Sequence, residues 1–194
     1  MQLFTECLIP ALNNYGNPQL MAPSQYSLGL MGIIVSSPRM NNETTQVVKK
    51  LLASPQKVAI VGHKNPDGDA IGSCLGLSFF LKSQGHSATV IMPNDFPDFL
   101  KWLPGCDEIV IYEKEVENSK KIFEKADIIF TLDFNSLDRV GGELQSVLEN
   151  AATKFVMIDH HQQPADYAVA TYSDVKMSST SEMVYHFMDA MDQA

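Results

Sequence analysis

Basic residues are scarce: the 194-residue chain holds 14 lysines and arginines against 23 aspartates and glutamates, a formal net charge of −9. A deficit of that size excludes a protein that grips long duplex nucleic acid through a broad basic surface. No Lys or Arg precedes Arg39, so the basic opening of a secretory signal is lacking and a cytoplasmic location is expected. Cysteines number only three, Cys7, Cys74 and Cys106, with no metal-ligand spacing, which excludes both a disulfide framework and a zinc ribbon. Long apolar runs are missing too. The stretch from Tyr26 to Val35 is interrupted by Ser27, Gly29 and Gly32 and falls short of the roughly 20 residues of a membrane helix, so no membrane partner is expected. What is present is 45% hydrophobic residues, enough for one ordinary domain with its own core.

Residues 1–39 carry one Glu and one Arg and no sustained period. They read as a loosely ordered N-terminal extension, with an arm that docks on a partner as the rival reading. From Met40 the texture changes. Asn41-Asn42-Glu43-Thr44 offers helix N-cap chemistry, and Val47, Val48, Leu51 and Leu52 share one helical face,. Beyond it, short apolar runs at 58–61, 88–92, 109–111, 128–132 and 155–158 alternate with helical segments at 70–84, 115–125 and 144–151. A last helix opens near Ser179, which has the spacing of a capping box with Glu182,. Strands that are continuously apolar and separated by helices predict an α/β domain, a parallel sheet with helices on both faces.

The polar residues sit where such a sheet places its ligands. The first strand runs into His63-Lys64-Asn65-Pro66-Asp67-Gly68-Asp69, the fourth ends in Asp133, and the fifth ends in Asp159-His160-His161. Three strands thus deliver imidazoles and carboxylates to their carboxyl ends, where the crevice of an open α/β sheet lies. Four carboxylates in one crevice repel one another unless cations neutralise them. Imidazole and carboxylate donors without thiolate suit Mn²⁺, with Mg²⁺ or Co²⁺ as neighbours, and a carboxylate such as Asp133 can bridge two ions. Taken singly these residues have plainer readings. Asn-Pro-Asp-Gly-Asp is turn chemistry, with Gly68 free to take a positive φ, and a strand-end Asp is often a helix cap. An EF-hand is excluded because Ala70 and Gly76 stand where it needs Gly and Glu,. The coincidence of three strand ends favours metal.

At these residues the chain resembles the DHH phosphoesterases, named for the triplet that stands here as Asp159-His160-His161. The likeness runs from about Met40 to the end, through His63-Lys64-Asn65-Pro66-Asp67-Gly68-Asp69-Ala70-Ile71-Gly72-Ser73, then Leu132-Asp133, then the triplet. The first motif is similar to that of the NrnA-like branch, bifunctional oligoribonucleases and pAp phosphatases, as is Ser178-Ser179-Thr180 before Glu182.

The resemblance implies that His63 and Asp67 hold one metal and Asp69 and His160 the other, with Asp133 bridging them. It implies that His161 faces the scissile phosphate as hydrogen-bond donor or general acid, and that Asp159 orients the neighbouring imidazoles. Two Mn²⁺ ions are the expected cofactors, and a short oligonucleotide or nucleotide is the expected substrate. A homodimer is compatible with this reading. The family's fourth motif, which supplies one more aspartate to the second metal, has no match, and Asp174 stands nearest to it by position without resembling it. The expectation is therefore a DHH domain over 40–194, incomplete at its C-terminal end, without the family's second domain, DHHA1, and of low activity as given. The alternatives are a manganese pyrophosphatase, which Gly68 disfavours, a cyclic-dinucleotide phosphodiesterase, which the lack of membrane segments disfavours, and a metal- or nucleotide-binding fragment without catalysis.

Overall fold

The structure, a computed structural model, describes residues 40–192; the expected extension at 1–39 lies outside the described residues. Helix α1 (Asn42–Leu51) opens where the sequence offers a cap, the Asn41 side chain accepting the Thr44 N–H at 2.7 Å,. There follow β1 (Lys57–Val61), α2 (Gly68–Ser83), β2 (Ser87–Met92), β3 (Val110–Ile111), α3 (Val116–Lys125), β4 (Ile128–Leu132), α4 (Gly142–Glu149), β5 (Lys154–Asp159), β6 (Ala170–Ser173) and α5 (Thr180–Asp192).

The six strands form one sheet in the order β3-β2-β1-β4-β5-β6, and every pairing is parallel. The chain winds outward from β1 to β3, returns to lay β4 on the other side of β1, and winds outward again. Where the order reverses, between β1 and β4, a doubly wound sheet opens its crevice at the carboxyl ends of the strands.

The continuous apolar runs have a simple cause. In β1, Val58 and Ile60 face one core together with Val48 of α1, Leu77 of α2 and Phe187 of α5. Ala59 and Val61, on the opposite pleat, face a second core with Phe123 of α3 and Leu144 of α4. The inner strands are covered on both faces, so alternation by side leaves few polar positions there. Phe187 stands edge-on to Phe130, with ring centroids 5.9 Å apart, which locks α5 onto the centre of the sheet.

Strand β6 was not legible in the sequence. Its four residues alternate between buried and half-buried, so the segment lacks the apolar run that marks the inner strands. The turn after β1 also differs from expectation in one detail. Gly68 is the first residue of α2 and has no positive φ; the left-handed residue is Asn65, at φ 55°. Gly62 is required on other grounds, since a Cβ there would stand 2.8 Å from Sδ of the fully buried Met92.

Candidate metal centre

The chain leaves β1 through Gly62 and places His63 in the crevice, 8% exposed. Its Nδ1 lies 2.8 Å from the Lys64 carbonyl. A carbonyl only accepts, so Nδ1 carries the proton donated there, and Nε2 is turned to the carboxylates of Asp133 at 3.5 Å and Asp67 at 4.0 Å,. Asp67 is also the N-cap of α2, its Oδ1 accepting the Asp69 and Ala70 N–H groups at 2.9 and 3.1 Å. The cap reading and the ligand reading of this residue are compatible, because a carboxylate has two oxygens and about four lone-pair sites.

Asp133 follows the last residue of β4 and is 2% exposed. Its φ of 65° is left-handed, a conformation that non-glycine residues hold only where their surroundings enforce it and that gathers at functional sites. The enforcement is visible: its N–H donates to the Ile158 carbonyl at 3.1 Å, and Oδ1 accepts the Thr180 hydroxyl at 2.9 Å. The two carboxylate oxygens face different imidazoles, Oδ2 the His63 Nε2 at 3.5 Å and Oδ1 the His160 Nε2 at 3.6 Å.

His160 directs Nδ1 to the Met177 carbonyl at 3.2 Å, which again leaves Nε2 for the crevice. His161 pairs Nδ1 with Asp159 Oδ1 at 2.7 Å. Asp159 is wholly buried, and its Oδ2 has no hydrogen-bond partner among the described residues. Asp69 is held differently from the others. Its Oδ2 and Oδ1 each accept at 2.8 Å from the backbone N–H groups of Thr180 and Ser181, at the start of α5, and Oδ2 lies 3.9 Å from His160 Nε2.

Six of the seven residues singled out in the sequence therefore converge on the crevice between β1 and β4, and the seventh, Asp159, stands behind it against His161. Two sets of donor atoms lie close enough to share an ion, His63 with Asp67 and Asp133, and Asp133 with His160 and His161, the atoms of each within 4.8 Å of one another. Asp133 belongs to both, whereas Asp69 falls outside both. Asp174 does not join them; its Oδ1 accepts the Lys176 N–H at 2.9 Å and closes a local turn.

The residues that sequence reasoning missed are Thr180 and Ser181. The capping-box spacing located the helix start, and Ser179 Oγ does accept the Glu182 N–H at 3.1 Å. Nothing in the sequence showed that the same helix end reaches back across the chain to Asp69 and Asp133.

The donor set fits divalent cations. The crevice concentrates the Asp67, Asp69 and Asp133 carboxylates beside two imidazoles, His63 and His160, whose Nε2 atoms both turn to Asp133. Thiolate is not on offer, because burial foremost, reinforced by Asp133, pushes the nearby Cys74 thiol far above its ordinary pKa,. Carboxylate oxygen and imidazole donors remain, a set that divalent metal ions accept.

His63 carries a consequence for pH. The Asp133 carboxylate foremost, against the opposing effect of burial, holds its pKa above the ordinary histidine value. A cation on Nε2 must displace that proton. Mn²⁺ affinity is expected to rise about tenfold per pH unit while His63 is protonated and to level off above its raised pKa. Calorimetric titrations at several pH values, in buffers of different ionisation enthalpy, check this through the protons released; an affinity that is flat with pH contradicts it.

Fold and site together define an α/β domain with its polar centre at the switch point of a doubly wound sheet,. Residues 57–194 match the DHH family, N-terminal domain, and the chain belongs to that family of phosphoesterases. Among its relatives, the cyclic-di-AMP phosphodiesterase PdeA of Listeria monocytogenes is 26% identical over 72% of this chain and 22% of its own. The bifunctional oligoribonuclease and PAP phosphatase NrnA of Thermus thermophilus is 32% identical over 79% of this chain and 43% of its own. Of solved structures, an exopolyphosphatase-related protein from Bacteroides fragilis superposes with a TM-score of 0.76 at 41% identity, covering 78% of this chain and 44% of that one. The chain thus spans less than half the length of each of these three proteins.

Proposed function

We propose that this chain carries the metal-binding domain of a two-metal phosphohydrolase that acts on short oligoribonucleotides or on a nucleoside bisphosphate such as pAp. The observation that carries the reading is Asp133, whose two oxygens face His63 and His160 at 3.5 and 3.6 Å, one oxygen to each. His63 and Asp67 would hold one Mn²⁺, and His160 and Asp69 the other, with Asp133 shared. When bound, such a pair activates water and neutralises charge on the phosphoryl oxygens.

The chain's own residues supply the rest. The Thr180 and Ser181 N–H groups fix the Asp69 carboxylate and leave further lone pairs free for a cation,. The Thr180 hydroxyl fixes Oδ1 of Asp133. Asp159 orients His161 through Nδ1, so that the ring is placed to donate to a phosphoryl oxygen or to give a proton to the leaving oxygen. A net charge of −9 suits a substrate with few phosphates, held by metals and a few side chains rather than by counterion release along a long backbone.

The likeness to NrnA supports the oligoribonucleotide and pAp reading. The likeness to PdeA supports a second one, a cyclic dinucleotide cleaved by the same residues. Incubation of the full chain with Mn²⁺ and, separately, pAp, a diribonucleotide, cyclic di-AMP and pyrophosphate distinguishes them. The first reading expects phosphate from pAp and mononucleotides from the dinucleotide. Preferential cleavage of cyclic di-AMP selects the second, and cleavage of pyrophosphate alone overturns both.

A further inference from the structure

Between β2 and β3 the chain makes a run of tight turns that the site reading does not use. Leu100 N–H donates to the Pro97 carbonyl, Lys101 to Asp98 and Leu103 to Leu100, at 2.9 to 3.1 Å. These are bonds between residues three apart, the 3₁₀ pattern, in which side chains at i and i+3 stand one above the other. Phe96 and Leu100 point inward, 7% and 9% exposed, whereas Phe99 and Trp102 are 73% and 76% exposed. Phe99 and Trp102 are three apart and are the two most exposed large apolar side chains among the described residues.

The segment is tied to the loop that carries Asp67. The Asn94 side chain accepts the Asn65 N–H at 2.7 Å and donates to the Asn65 side-chain oxygen at 3.2 Å. Leu100 lies 3.7 Å from where a Cβ on Gly68 would stand. The segment's charges are already engaged: Lys101 is held by Asp98 at 2.8 Å and Asp95 at 3.4 Å, and Lys114 by Asp95 at 2.5 Å. It therefore offers a phosphate little, and it offers two exposed aromatic side chains on a segment anchored, through Asn94 and Leu100, to the loop that carries Asp67.

We infer that Phe99 and Trp102 form a stacking platform for the unpaired bases of the nucleotide substrate. The inference rests on the phosphohydrolase reading and names what holds the base while the crevice holds the phosphate. Stacking suits an acidic protein because it adds affinity without requiring surface cations, and it tolerates any base since each has a π-face. Phe99 and Trp102 are in this account positioning residues that fix where the chain of nucleotides runs.

Trp102 is the sole tryptophan, so its emission reports the platform directly. Full chain without divalent metal, which prevents turnover, is titrated with AMP, a diribonucleotide and ribose 5-phosphate. Saturable quenching by the two base-bearing ligands, and none by ribose 5-phosphate, is expected. In the presence of Mn²⁺, Trp102→Ala should raise KM for the dinucleotide about 10-fold, more than it lowers kcat. Trp102→Phe should recover most of that loss, and Tyr185→Ala, an exposed aromatic on α5, should leave KM unchanged. Base-independent emission overturns the inference, as does a Trp102→Ala variant with unaltered KM whose sedimentation shows loss of a dimer, which would make this face an interface between copies. Hydrolysis with unquenched Trp102 defeats the platform and leaves the phosphohydrolase reading standing; quenching without hydrolysis does the reverse.

Discussion

Asp133→Asn is expected to lower Mn²⁺-dependent hydrolysis by at least about 10³-fold, roughly 4 kcal/mol of transition-state stabilisation, while the fold survives. Asparagine has the same shape, and its side-chain oxygen can still accept the Thr180 hydroxyl that Asp133 Oδ1 accepts at 2.9 Å. What is lost is the charge between His63 and His160, and with it a donor common to both clusters. Circular dichroism should show native secondary structure and calorimetry a large loss of Mn²⁺ binding. Asp174→Asn serves as the control, because Asp174 closes a turn outside both clusters. Parent-like metal binding in Asp133→Asn together with its loss in Asp174→Asn would mean that the site has been placed on the wrong carboxylate.

The second large effect concerns a residue that lies behind the crevice. Asp159→Asn should lower kcat by about 10²-fold or more with little change in KM. Asp159 is wholly buried and holds His161 Nδ1 at 2.7 Å. An amide there can present an N–H to Nδ1, which selects the wrong tautomer. Thermal stability separates this role from a structural one. A lowered kcat with an unchanged melting temperature identifies Asp159 as the group that positions His161; an unchanged kcat with a lowered melting temperature would assign Asp159 to the fold alone.

Much of this arrangement was legible in the sequence, for an identifiable reason. Inner strands of a doubly wound sheet are covered on both faces, so 128–132 stands out as an apolar run broken only by the buried Thr131, and it matches β4 at both ends. The polar residue after such a run then falls at the carboxyl edge by geometry, which is why Asp133 and the 159–161 triplet were recognisable as neighbours before any coordinates. Edge strand β6 escaped because its residues are only alternately buried. The Asp69 carboxylate shows a different limit. Its place in the first motif is plain, yet its partners are backbone N–H groups 111 and 112 residues away, and backbone donors leave no trace in composition. The left-handed φ of Asn65 and Asp133 was hidden for the same reason, since Gly68 was the residue whose chemistry most readily permitted it.

The central claim is that one carboxylate, Asp133, is shared between two cations. Electron paramagnetic resonance of the full chain titrated with Mn²⁺ tests it most directly, because two manganese ions joined by a bridging ligand couple their spins whereas separate ions do not. The account predicts binding of two Mn²⁺ per chain, with a coupled signal that collapses to that of isolated ions in Asp133→Asn. A single uncoupled Mn²⁺ per chain at saturation, unchanged by that substitution, would contradict it.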